Sequence, residues 1–182
     1  MLILVKHGAP RLEPGTPPSK WTLAPEGRDQ AERIAGKLAD FSPSAVVSSL
    51  EPKAIETAAV IAGAFGLVAE LDAGLGEQRN DEGPFTDAVR FQAAVGQMFA
   101  RPRDVVMGEE SADEAHARFA GALERQLAAH PSQTLVAVTH GRVMTLWASR
   151  RLGLDPMPFW RTLTLGAALV VATDAEWRVI DP

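Results

Sequence analysis

Apolar positions recur along this chain in two periods, and the switching between them predicts its elements. Leu2 to Val5 is a continuous aliphatic run that Lys6 ends, the pattern of a strand buried on both faces. Gly8, Pro10, Pro14, Gly15, Pro17 and Pro18 then block regular structure. From Pro25 to Phe41 the residues Ala31, Ile34, Ala35 and Leu38 keep helical spacing, and Ser42-Pro43 ends the helix. Ala45 to Ser49 reads as a short strand. Pro52, suited to a first helical turn, opens a helix to about Phe65 that Gly66 closes. Val68 to Leu71 reads as another strand, and Phe91 to Phe99 as a short helix. Ser111 with Glu114 three residues later is a capping-box pattern, opening a long helix to about Ala129 with an apolar face of Ala115, Phe119, Ala122, Leu123 and Leu127. Leu135 to Val138 is a buried strand, and Val143 to Leu152 a helix stopped by Gly153. Leu163 to Thr173 and Trp177 to Ile180 read as two last strands around an Asp174-Ala175 turn.

Strands alternating with helices predict an α/β fold with a largely parallel central sheet. A length of 182 residues suits a single domain spanning 1–182. The irregular 72–110 stretch, rich in glycine and mixed charge, reads as a flap inserted on it. No solenoid-period repeat, low-complexity segment or linker interrupts the pattern.

Composition narrows the chemistry. Hydrophobic residues make up 46% and charged residues 23%, ordinary for a globular protein, and no apolar run reaches the roughly 20 residues needed to span a bilayer. No membrane association is expected. The apolar opening is too short and lacks the cleavage site of a signal peptide. Cysteine is absent, which excludes disulfides, thiolate metal sites and cysteine nucleophiles and fits a cytoplasmic location. The formal net charge is −5 with no cationic run, so no nucleic-acid binding is expected. Any anion must be held by a few well-placed groups.

Two of the four histidines share a context. His7 follows Leu-Ile-Leu-Val-Lys and precedes Gly8; His140 follows Leu-Val-Ala-Val-Thr and precedes Gly141. Each therefore stands at the carboxyl end of an apolar strand, where open α/β sheets bind ligands, with a glycine that lets the backbone approach closely. A lone histidine there reads as a strand-end filler; two in matched contexts point to one pocket. Metal binding needs a third ligand that no His-rich or Asp-rich signature supplies. Covalent catalysis fits better, since neutral imidazole is a nucleophile. Phosphoryl transfer to it needs cations or N–H donors around the phosphate and an acid for the leaving oxygen. Lys6, Lys53, Arg79 and Arg142 are the candidate cations and Glu77 the candidate carboxyl group.

The residues in this order resemble the histidine phosphatase superfamily, the phosphoglycerate-mutase-like phosphohydrolases. The strand–Arg–His–Gly opening stands here as Val5-Lys6-His7-Gly8. The block Ser-Ser-x-x-x-Arg-Ala-x-x-Thr-Ala stands as Ser48-Ser49-Leu50-Glu51-Pro52-Lys53-Ala54-Ile55-Glu56-Thr57-Ala58. Leu75-Gly76-Glu77, Gly108-Glu109-Glu110-Ser111 (one Glu longer than the family's Gly-Glu-Ser) and Val138-Thr139-His140-Gly141 follow. The resemblance implies a three-layer α/β/α sandwich around a mostly parallel sheet. It implies that His7 is the phosphoacceptor and that His140 helps hold the phosphoryl group. Glu77 would protonate the leaving group, and no metal or organic cofactor would be needed. Lys6 and Lys53 occupy positions where the family uses arginine, keeping charge but losing the planar two-pronged geometry. Gly8, Lys6, Lys53, Gly141, Arg79 and Arg142 are the expected substrate contacts, with Arg79 or Arg142 a candidate source of the missing guanidinium.

The expected activity is phosphomonoester hydrolysis, of the histidine acid-phosphatase type, on a phosphorylated small molecule or a phosphoprotein. The alternatives are a phospholigand-binding module with little turnover, a phosphomutase, and a phosphohistidine protein phosphatase. Oligomeric state has no signature. Glu109, Glu110, Asp113 and Glu114 read as helix-start charges, His116 and His130 as helix residues, Trp147 and Trp160 as core or pocket wall. Ser19 and Trp21 lie where the loop after His7 could fold over a substrate.

Overall fold

The computed structural model describes residues 1–81, 87–173 and 176–182; the expected turn at Asp174-Ala175 and part of the irregular 72–110 stretch lie outside them. The elements are β1 (Leu2–Lys6), α1 (Pro25–Leu38), β2 (Ala45–Ser48), α2 (Pro52–Ala64), β3 (Glu70–Leu71), α3 (Ala88–Ala100), α4 (Ala112–Ala129), β4 (Leu135–Thr139), α5 (Gly141–Leu152), α6 (Pro156–Thr162), β5 (Ala168–Thr173) and β6 (Glu176–Ile180). The described strands form one sheet in the order β3-β2-β4-β1-β5-β6. β3, β2, β4 and β1 run parallel, while β5 and β6 are antiparallel additions at one edge.

The continuous apolar strands are buried on both faces because the pleat sends alternate side chains to opposite layers. Leu2 and Leu4 of β1, with Leu135 and Ala137 of β4, join a core formed with α3, α4, α5 and α6 around Phe119, Met98 and Met144. Ile3, Val5, Val136 and Val138 face the opposite layer, where Ile34, Leu38, Ala58 and Ile61 of α1 and α2 cover them. The result is the three-layer α/β/α sandwich with a mostly parallel sheet that the resemblance implied.

The helix signals act as expected. Proline stands at the first turn of α1, α2 and α6. Ser111 and Glu114 make a reciprocal capping box at the start of α4. The largest difference lies between Pro156 and Ala167. The expected strand from Leu163 begins only at Ala168, and residues 156–162 form α6, capped by Asp155. No element was expected between Gly153 and Leu163, yet both prolines fit a helix start, and Phe159 packs into the core. β3 shrinks to two exposed residues, with Val68 outside it and 89% exposed. No helix among the described residues is long and apolar enough to cross a membrane.

β4 lies beside β1 with Lys6 opposite Thr139. The next residue of each strand is a histidine, so register alone sets His7 and His140 side by side at the carboxyl edge of the sheet, where the chain from β1 leaves past β4 towards β2.

Candidate active site

His7 and His140 converge as the strand register requires. Their ring centroids are 5.1 Å apart with the planes inclined at 59°. Both line a cavity of about 280 Å³ together with Lys6, Glu51, Lys53, Glu77, Arg79, Gly141 and Arg142. Trp21, Phe91 and Trp160 supply aromatic wall, and Ser19 lies at the rim. Gly8, an expected substrate contact, does not line the cavity. Its N–H donates to Thr57 Oγ1 at 3.1 Å, and a Cβ there would lie 2.3 Å from the Gly27 carbonyl oxygen. Glycine is required at position 8 for the approach of α1, not for an open path to a ligand.

The two imidazoles are held in opposite ways. His7 Nδ1 lies 2.7 Å from the Gly8 carbonyl oxygen. A carbonyl can only accept, so Nδ1 carries the proton and Nε2 keeps its lone pair. Burial first, then the charge of His140 and Lys53, hold the His7 pKa well below its ordinary value, so the ring is neutral. His140 instead uses Nε2, 2.8 Å from Ser49 Oγ and 3.2 Å from Glu51 Oε1. The carboxylate accepts, which places the proton on Nε2. His140 Nδ1 is buried with no hydrogen-bond partner. Burial, with the charge of Lys53, pushes the His140 pKa down to about 3 despite Glu77.

Lys6 and Lys53 are both drawn inward. Lys6 Nζ donates to the Leu163 carbonyl at 2.7 Å, and its stem lies over Gly141, whose added Cβ would meet Lys6 Nζ at 3.4 Å. Burial lowers the Lys6 pKa, partly offset by Glu77. Lys53, in the first turn of α2 and 5% exposed, donates to the Pro18 carbonyl at 2.7 Å and to Glu51 Oε2 at 2.5 Å. Neither is a solvated surface lysine.

Glu77 sits against the start of α5. Its Oε1 accepts from the N–H groups of Gln78 (2.9 Å) and Val143 (3.2 Å), and its Oε2 from Arg142 N–H (3.2 Å) and Arg142 Nε (3.3 Å). It thus satisfies orphan donors that His140, the backbone cap of α5, leaves without a side-chain partner. Burial alone would raise its pKa, but Arg142, His140 and these N–H groups bring it down to about 2. Arg142 is occupied likewise: beyond Glu77 it donates to the Gln78 carbonyl at 3.2 Å and stacks 5.8 Å from the Phe91 ring centroid. Arg79 is exposed at the cavity edge. Of the two expected sources of a guanidinium, Arg142 is spent on its neighbours and Arg79 is not.

A second set of residues holds the Glu77 loop. Arg118 of α4 donates to the carbonyls of Gly74 and Gly76, each at 2.9 Å, and of Glu77 at 3.0 Å, and pairs with Glu110 at 2.6 Å. Glu110 Oε1 accepts from Arg79 N–H at 2.9 Å. The buried Gln78 side chain donates to the carbonyls of Arg79, Met107 and Glu110. Glu110 is therefore a clamp on this loop, not a mere helix-start charge. Ser19 Oγ donates to Asp81 Oδ2 at 2.7 Å, which ties the loop after His7 to the Glu77 loop.

The sequence reading missed Glu51, Gln78, Glu110 and Arg118. Glu51 had a signal, a charge inside the Ser-Ser block between a buried strand and a helix start. Glu110 stood inside the Gly108-Glu109-Glu110-Ser111 block but was read as a helix-start charge, and Gln78 and Arg118 lay outside the quoted blocks. His116 stays in α4, far along the chain from the pocket residues, and His130 caps the end of α4 with its Nδ1 2.9 Å from Gln133 Oε1. No cluster of three or more His, Cys, Asp or Glu able to hold a metal occurs among the described residues.

A family model described as the histidine phosphatase superfamily (branch 1) matches residues 2–179. Solved structures share the fold. A mycobacterial glucosyl-3-phosphoglycerate phosphatase is 24% identical, covering 92% of this chain and 87% of its own, at a TM-score of 0.70. A phosphoserine phosphatase variant from Entamoeba histolytica, solved with phosphoserine, is 19% identical over 98% and 93%, at 0.71. YhfR of Bacillus stearothermophilus is 18% identical over 99% and 95%, at 0.74. No curated protein matches the sequence significantly.

Proposed function

The chain belongs to the histidine phosphatase superfamily, and from that premise we propose that it hydrolyses a phosphomonoester through a phosphohistidine formed on His7. The observation that carries the reading is the neutral His7 ring, with Nδ1–H fixed on the Gly8 carbonyl and an unprotonated Nε2 beside a cavity lined by two lysines.

In the first step His7 Nε2 attacks phosphorus, an N–P bond forms, and the ester P–O bond breaks. Lys6 and Lys53 neutralise the phosphoryl oxygens, and the neutral His140 ring donates its Nε2–H to them. The leaving oxygen takes a proton from Glu77. In the second step water attacks phosphorus, Glu77 removes its proton, and the N–P bond breaks to release phosphate and restore neutral His7. Glu77 is ionised in the unloaded pocket, with a pKa of about 2. A phosphomonoester that arrives as the monoanion brings the proton, and its charge beside Glu77 disfavours the carboxylate form, so Glu77 takes up that proton and passes it to the leaving oxygen. Lys6 and Lys53 stabilise charge as points, so orientation of the phosphoryl group falls to the histidines and the backbone around them.

The substrate class is a small phosphorylated metabolite handled in the cytoplasm; the glucosyl-3-phosphoglycerate and phosphoserine phosphatases that share the fold support that class. The reading takes residues 1–182 as one domain, with Gln78, Arg79 and Phe91 lining the pocket. The test is turnover of p-nitrophenyl phosphate and of a panel of phosphorylated metabolites by the wild type and His7→Ala. Hydrolysis by the wild type with loss in His7→Ala is expected. Binding of phosphorylated ligands without turnover by the wild type would replace the enzyme with a binding module.

A further inference from the structure

Glu51 occupies the donors that a phosphoryl group would need. Its Oε2 accepts from Lys53 Nζ at 2.5 Å, and its Oε1 accepts from His140 Nε2 at 3.2 Å and from Glu77 N–H at 2.9 Å. It lines the cavity, yet its side chain is only 14% exposed. It stands at the N-cap position of α2 without making a side-chain cap bond, so its carboxylate is not spent on the helix. His140 has no second donor to offer: Nε2 carries its proton towards Glu51 and Ser49, and Nδ1 is unprotonated and unpartnered.

We propose that Glu51 is a specificity-determining residue, a built-in carboxylate that competes with the substrate's phosphoryl group for Lys53 and His140. The proposal rests on the phosphohistidine reading of the same pocket and adds what governs entry to it. A phosphoryl dianion can take the lysine and imidazole donors only as the carboxylate turns away, because two anions on one ammonium inside a largely desolvated pocket repel strongly. Inorganic phosphate must displace Glu51 unaided. A phosphomonoester whose organic part rests against Trp21, Phe91 and Trp160 recovers that loss through its remote contacts. The pocket therefore discriminates against bare phosphate and releases it readily once hydrolysis is complete.

The test is titration calorimetry with inorganic phosphate at pH 7.5 on the wild type, Glu51→Gln and Glu51→Ala, with circular dichroism to check that each is folded. Glu51→Gln keeps the side-chain volume, so it reports on charge even if Glu51→Ala disturbs the start of α2. Both variants are expected to bind phosphate about tenfold or more tightly than the wild type, the gain from removing one carboxylate charge within a few ångströms of the phosphate. Equal affinities would overturn the proposal and leave the phosphohistidine reading standing. Weaker binding by the variants would overturn it too, since Glu51 would then organise the lysine instead of competing for it. Absence of phosphate binding in all three proteins would overturn the proposal together with the reading beneath it.

Discussion

The carboxyl ends of β1 and β4 look alike in sequence and differ in almost every physical respect. Each carries an aliphatic strand, then a histidine, then a glycine. At β1 the histidine donates Nδ1–H to its own neighbour's carbonyl and frees Nε2, and the glycine exists because α1 passes within 2.3 Å of where a Cβ would stand. At β4 the histidine turns Nε2 to Ser49 and Glu51, and the glycine is the first residue of α5, with only Lys6 and Trp160 side chains 3.3 to 3.5 Å from an added Cβ. One strand end presents an imidazole nitrogen with a free lone pair and leads into a loop. The other presents a donor and leads into a helix whose N-terminus Glu77 covers. Matched patterns thus produced complementary halves of a site, because the His7 tautomer is set by the adjacent Gly8 carbonyl while that of His140 is set by Ser49 and Glu51, far away in the chain.

Substitutions at the paired positions test how deep that asymmetry runs. The largest effect is expected from His7→Ala, a loss of turnover on the order of 10⁴-fold or more, with no acid-labile phosphoprotein after brief incubation with substrate. His140→Ala should slow turnover by about 10²–10³-fold, the range for losing one preorganised donor, and should still form the labile phosphoprotein. Equal losses, with neither variant labelled, would erase the difference in role. Next come the glycines. Gly8→Ala is expected to destabilise the fold by about 1–3 kcal/mol, since backbone on both sides must yield. Gly141→Ala should cost less than about 1 kcal/mol while altering phosphate affinity through the displaced Lys6 side chain. Denaturant melts with a phosphate titration separate the two, and the reverse order would show that Gly141 is the tighter contact.

The last comparison is a pH dependence of stability, to which both imidazoles contribute. The folded pKa of His140 is about 3, against 6.5 in the unfolded chain, and that of His7 is lowered as well. Between these limits the unfolded state binds more protons, so stability is complete above about pH 6.5 and declines as pH falls towards 3. Glu77, depressed from 4.5 to about 2, adds its own loss only below 4.5. Melting temperature measured from pH 6.5 down to 4.5 should therefore fall in the wild type and fall less in His140→Ala. A wild-type profile flat over that window would mean that neither imidazole is buried neutral.

Much of the fold was legible from the chain. Continuous aliphatic runs gave away strands covered on both sides, and the capping box at Ser111 and Glu114 marked α4 to the residue. Where the reading failed, local signals were overruled or absent. No element was expected over residues 154–162, where Phe159 found the core and Asp155 capped a helix. Val68 to Leu71 had strand propensity but lay at a sheet edge with one short partner. The expected site residues other than Gly8 line one cavity, while Glu51 went unread because a charge ahead of a helix has many uses.

The order of apolar runs, the two His-Gly pairs and the lysines beside them are properties of the chain alone, since period and residue type are local. They suffice for the α/β class and the family resemblance. Which nitrogen of each ring carries the proton, that Arg142 is consumed by Glu77, and that Glu51 rests on Lys53 were decided only by packing. The reason is that a hydrogen-bond donor is assigned by its nearest acceptor, and in this site the partners range from the adjacent residue for His7 to 91 residues away for His140 and 157 for Lys6.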